Sequence, residues 1–111
     1  MPTYVALINW TDEGRRNFAH TLEGYKQAQA VLSESGVSFV DIYWTTGEHD
    51  LVGVVEGPDD QTVTSAMLAI SSLGGIRATA TRAFNAGEIG AVLTKATTMA
   101  GALAAADAVQ M

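Results

Sequence analysis

The residues of this chain with the widest chemical range are His49 and Asp50, the one place where an imidazole and a carboxylate adjoin in sequence. An imidazole titrates near neutrality and a carboxylate can orient it, so the pair is the candidate for general acid–base work, with His49 as the acting group. Neighbours on an extended strand point to opposite faces, and a direct hydrogen bond between them would need a bent backbone. The competing role is turn support, with Asp50 capping loop amides beside Gly47. A second constellation consists of Asn9, Trp10, Tyr43, Trp44 and Arg82, which together with His49 supply the convergent polar and aromatic groups that small-ligand pockets use. Each has a plainer role: Trp10 and Trp44 as core or interface anchors, Arg82 as an ion-pair partner of Asp41 or Glu56. The other histidine, His20, falls off the core-facing stripe of its helix and reads as a surface residue.

Several chemistries are excluded or unsupported. The chain has no cysteine, so disulfides, zinc–thiolate sites and thiol nucleophiles are absent. Two histidines far apart with scattered acids lack metal-ligand spacing, and no cofactor is expected. Gly74-Gly75 leads into a strand, whereas phosphate-cradling glycines lead from a strand into a helix, so the pair marks a helix stop. Six basic against twelve acidic side chains give a formal net charge of -6, which argues against a nucleic-acid or membrane-phosphate footprint. No secretory signal and no membrane-spanning run is legible, which makes a cytoplasmic location the default expectation.

The elements that must position these residues follow from hydrophobic pattern. Tyr4 to Trp10 is dense in apolar and aromatic residues and reads as a strand, followed by the helix-starting cluster Thr11-Asp12-Glu13. Phe18, Leu22, Tyr25, Gln29 and Leu32 recur at helical spacing and predict a single helix over residues 12–34, ended by Gly36. Residues 37–46 and 50–56 predict two strands joined by the short Thr46–His49 connection, with Gly47 suited to a positive φ. Val63, Met67, Ile70 and Leu73 form the apolar line of a second helix that starts beside Asp59, and residues 76–84 alternate as a strand. The order βαββαβ predicts a ferredoxin-like α+β fold: a four-stranded antiparallel sheet with two helices on one face. Residues 1–84 would form this domain and residues 85–111 a C-terminal amphipathic helical extension along Ile89, Val92 or Leu93, Ala96, Met99 or Ala100, and Leu103.

Side-chain parity bears on assembly. On the last strand Ile76, Ala78 and Ala80 suit helix packing, leaving Arg77, Thr79 and Thr81 on the open face. On the second strand both parities carry large apolar groups: Phe39 and Tyr43 on one, Val40, Ile42 and Trp44 on the other. Both faces therefore read as covered, which predicts a homo-oligomer, dimeric or higher, or shielding by the C-terminal helix.

Gly47-Glu48-His49-Asp50-Leu51-Val52, its continuation Glu56-Gly57-Pro58-Asp59-Asp60, the opening Tyr4 to Thr11 with Gly14, and the late Arg82-Ala83-Phe84 together resemble the GYD-domain family over roughly residues 3–84. The family pattern is Gly-X-Tyr-Asp, and His49 stands in the tyrosine position. The family is largely without an assigned activity, and the resemblance implies a relation to dimeric α+β barrels, in which two protomers face their open sheets together around a cavity. Three functions follow as expectations: an oligomeric protein binding a small organic molecule on the open sheet face, a non-catalytic assembly or regulatory module, or a cofactor-independent enzyme using His49 as acid or base.

Overall fold

In the computed structural model, which describes residues 1–106, the expected order of strands and helices is present. The strands are β1 (Thr3–Trp10), β2 (Ser38–Trp44), β3 (Leu51–Glu56) and β4 (Ile76–Ala83), and they form one antiparallel sheet in the order β2-β3-β1-β4. The apolar β1 is central, paired with β3 from Thr3↔Glu56 to Ile8↔Leu51 and with β4 from Thr3↔Ala83 to Trp10↔Ile76. Helix α1 (Asp12–Arg16), helix α2 (Thr21–Leu32) and helix α3 (Asp60–Ser71) connect the strands, and α4 (Ala86–Ala105) follows the sheet.

One face of the sheet carries the core. Tyr4, Ala6 and Ile8 of β1 alternate inward with Leu51 and Val55 of β3, and they meet Val63, Ala66 and Met67 of α3. Ile76, Ala78 and Ala80 of β4 pack against this cluster, and Arg77, Thr79 and Thr81 are exposed on the other face, as their alternation predicts. The start of α3 is fixed by two contacts. The Asp59 carboxylate accepts from the Thr62 amide at 2.7 Å, which holds that carboxyl below its usual range. The hydroxyl of the buried Tyr4 donates to the Asp60 carboxylate.

That second contact, more than burial, pushes the Tyr4 hydroxyl above its ordinary pKa. A group whose folded pKa is raised contributes stability that is complete below the unfolded value near 10 and is lost as pH rises through the folded value. Tyr4→Phe is therefore expected to cost about 1 kcal/mol at neutral pH, the net worth of one hydrogen bond. Above pH about 10 the native protein should lose stability faster than the variant, which thermal melts between pH 8 and 11 will read.

The sheet is open, with β2 and β4 as its edges, and it does not curl or close, so the expected dimeric α+β barrel is corrected. The physical reason lies in β2. The register with β3 slips between Phe39 and Asp41, so Val40 is an extra residue and the side-chain parity inverts there. Phe39, Ile42 and Trp44 consequently sit opposite Val55, Gly53 and Leu51 on the helix side, while Asp41 and Tyr43 sit opposite Val54 and Val52 on the open side. The aromatic rings read as covering both faces lie, Tyr43 apart, on one. What remains on the open face is a compact aliphatic patch, Val5 beside Val54 and Leu7 beside Val52, flanked by Thr79 and Thr81.

The single helix expected over residues 12–34 is also corrected. It is broken into α1, a 3-10 turn at Phe18–His20, α2, and a second 3-10 turn at Ser33–Ser35 that ends on Gly36 with φ 79°. The Asn17 side chain donates to the Glu13 carbonyl at 3.1 Å and competes with the helical ladder, which explains the break. Phe18 and Leu22 point to solvent, and no residue of α2 is fully buried. Gln29, in the apolar line, instead clips α2 to β2: its amide donates to the Val37 carbonyl and its carbonyl accepts from the Phe39 amide at 2.6 Å.

Helix α4 forms as the alanine-rich sequence predicts and is started by a reciprocal capping box between Asn85 and Glu88. It has no buried residue, and Val92, Leu93, Met99 and Leu103 are exposed along it. At 20 residues it is about 30 Å long, which accounts for the elongated 58 × 29 × 23 Å shape. The expectation for the end of this extension, residues 107–111, lies outside the described residues. Among the described residues no helix is long and apolar enough to cross a membrane.

Candidate functional site

The chemistry-bearing residues gather at the end of the sheet where β1 finishes, because three segments cross there. The loop between β2 and β3 turns through Gly47, whose φ is 128°. It is closed by Thr45, whose amide donates to the Asp50 carbonyl at 2.8 Å and whose hydroxyl donates to the His49 carbonyl at 2.6 Å. Asp50 then ties the loop to β1. Its carboxylate accepts from the Trp10 amide at 2.9 Å, and its own amide donates to the Ile8 carbonyl at 3.0 Å and to Asn9 Oδ1 at 3.2 Å. Asp50 is thus a structural cap, as the plainer role foresaw, though the amide it caps belongs to β1 and not to the loop beside Gly47.

The contact from Asp50 fixes which end of the Asn9 amide is oxygen, so the Nδ2 group faces His49 Nδ1 at 3.3 Å. An amide nitrogen only donates, which makes Nδ1 the acceptor and places the proton of the neutral ring on Nε2. His49 therefore faces a carboxamide, while the neighbouring carboxylate is occupied by a backbone amide. The two members of the candidate acid–base pair thus have separate partners, the imidazole Asn9 and the carboxylate the Trp10 amide.

The remaining candidates are dispersed. Trp44 donates from Nε1 to the Thr21 hydroxyl at 3.0 Å, and its ring meets Tyr25 edge-on at 5.9 Å. Tyr43 is exposed on the opposite side of the sheet. Arg82 lies at the far end of β4, its guanidinium 4.3 Å from the Phe84 ring centre and 5.7 Å from that of Tyr4. It donates to the carbonyls of Thr3 and Ala83, so its contacts are rings and backbone where Asp41 or Glu56 was the expected partner. Of the six residues, only Asn9 and His49 touch through their side chains, with Trp10 next to them.

Trp10 also opens onto a cavity of about 310 Å³. It lies on the helix side, between the broken first helix and α3, whereas the small-molecule expectation placed a cavity on the open face. Ile8, Leu51 and Ile42 form its floor, and the rings of Trp10, Tyr25 and Phe39 form its walls. Glu13, Asn17, His20 and Thr21 stand around it, so His20, although exposed as expected, is a lining residue. Glu13, Tyr25 and Gly24 were missed as site residues in the sequence. The signal that could have found them is a glycine in the interior of α2, where the sequence otherwise favours helix.

The same corner explains Gly14. A Cβ on Gly14 would lie 1.9 Å from the Gly75 carbonyl oxygen, so α1 can approach the loop before β4 only through a glycine. Thr11 completes the junction, donating from its hydroxyl to the Gly74 carbonyl at 2.6 Å and from its amide to the Gly75 carbonyl at 3.1 Å. The Gly14 and Gly47–Asp50 positions are among those through which the sequence resembles a known family, and the comparison decides the matter: a family model described as the GYD domain matches residues 4–93. The chain belongs to the GYD-domain family. In this GYD domain the glycine of the motif makes the turn and the aspartate caps β1. The chain is similar to a Thermus thermophilus protein named "Glutamine synthetase and cystathionine beta-lyase binding protein", 36% identical over 78 residues that cover 69% of this chain and 82% of that one. No solved structure matches this GYD domain.

Proposed function

We propose that this GYD domain is a non-catalytic module that binds a metabolic enzyme through α4 and the open face of its sheet. The observation that carries the reading is α4: a helix of 20 residues whose only charges are Glu88 and Lys95, with no residue buried in its own chain. Most of the stability of a helix in a protein comes from packing one face on another surface, and α4 has no such packing within its own chain. The aliphatic patch of half-buried Val5, Leu7, Val52 and Val54 supplies a second apolar area on the same molecule. The name of the similar Thermus thermophilus protein supports an enzyme of amino-acid metabolism as the occupant.

Sedimentation velocity of the full chain with the glutamine synthetase and the cystathionine β-lyase of its own organism tests the reading. Co-sedimentation with either enzyme at micromolar concentration is the expected result. Sedimentation of the chain alone as a stable dimer or larger assembly, with neither enzyme retained, would assign α4 and the open face to a second copy of the chain and overturn the enzyme-binding reading.

A second reading, that the protein binds a small organic molecule, is favoured by the helix-side cavity with its three aromatic walls.

A further inference from the structure

We propose that the helix-side cavity is a site for a small primary amine carried on a single apolar ring. The ring would lie among Trp10, Tyr25 and Phe39, and the ammonium group at Glu13. The proposal rests on the small-molecule reading of that cavity and adds the chemical class of its ligand.

Three observations lead to it. The first is Gly24. Glycine in a helix interior is destabilising relative to alanine, and it is normally explained by a close neighbour that a Cβ would strike. At Gly14 such a neighbour exists, at 1.9 Å, whereas a Cβ on Gly24 would meet no atom within 4 Å, as is also true of Gly90 and Gly101 in α4. Of these three only Gly24 lines the cavity, where a larger side chain would take up ligand space.

The second is the shape and chemistry of the walls. Tyr25 stands edge-on to both Phe39 and Trp44, with ring centres 6.0 and 5.9 Å apart, and the Trp44–Thr21 hydrogen bond secures this aromatic wall to α2. The cavity, at about 310 Å³, is roughly twice the size of one that accepts a benzene ring, which leaves room for a short polar arm. The third is charge. Among the described residues Glu13 is the one carboxylate lining the cavity and no lysine or arginine lines it, and the chain as a whole carries a formal charge of -6. A carboxylate at the mouth of an apolar cleft in an acidic protein attracts a cation and repels an anion.

The test is amide NMR of the full chain titrated with 2-phenylethylamine and, separately, with ethylbenzene, the same hydrocarbon skeleton without the amino group. The amine is expected to shift the amides of Gly14, Gly24 and Gly75 and to bind about fivefold more tightly than ethylbenzene, the worth of one exposed ion pair. Glu13→Gln should remove that preference while leaving ethylbenzene binding in place. Gly24→Leu should fill the cavity and abolish both, with the dispersed spectrum of the folded chain retained because leucine is the better helix former. Equal or tighter binding of ethylbenzene at these same amides would overturn the amine assignment and leave the small-molecule reading standing. If neither probe moves these amides in the native chain, or if both bind the folded Gly24→Leu variant unchanged, the cavity is no ligand site and the small-molecule reading fails with it.

Discussion

Gly14→Ala is expected to destabilise the domain by about 3 kcal/mol, the upper range for forcing an atom into a packed site, and to lower its melting temperature by roughly 10 °C or more. The added carbon would meet a backbone oxygen, that of Gly75, which cannot rotate aside as a flexible side chain can. Either α1 or the Gly74-Gly75 loop must retreat, and both Thr11 hydrogen bonds across the junction lengthen with it. Because the same junction forms one rim of the cavity, the variant should also lose any ligand bound there. Gly24→Ala is the internal control. With no atom within 4 Å of the new carbon it should leave stability unchanged or raise it by up to about 1 kcal/mol, and urea denaturation of the two variants will separate them.

The second large effect concerns α4. Val92 and Met99 are one heptad apart, share a face of the helix and are both exposed. Replacing both with glutamate should leave the melting temperature of the domain nearly unchanged, since exposed substitutions away from the core cost within about 0.5 kcal/mol. Binding to the proposed partner enzyme should fall by a factor of about 30 or more, as loss of a central apolar anchor typically costs at least 2 kcal/mol. A titration by biolayer interferometry that gave the same affinity for native chain and double variant would remove α4 from the interface.

The succession of strands and helices was legible because β1 and β4 carry clear apolar runs or alternation and because Asp59 and Gly36 mark element ends. Two features escaped for physical reasons. A β-bulge is a local slip of one residue with no composition of its own, and the one at Val40 inverted the parity from which both faces of β2 were read as covered. The break at Asn17 was hidden because Phe18 and Leu22 continue the apolar spacing even though both end up in solvent. At the candidate site, sequence adjacency joined His49 to Asp50, whereas sheet register brought Asn9 to His49 and the Trp10 amide to Asp50. Contacts between residues some 40 positions apart are set by the pairing of β1 with β3, and no local pattern encodes them.

The proposed partner-binding role of α4 is tested most directly by hydrogen–deuterium exchange of the full chain, free and mixed with the enzyme that co-sediments with it. In the free chain the amides of residues 86–105 should exchange faster than those of β1 and β3, as expected for a helix held only by its capping box and its own ladder. In the complex they should slow by at least tenfold, as should those exposed along the open face. Unchanged exchange across α4 in a mixture where the complex has formed would contradict the account and place the interface elsewhere on the domain.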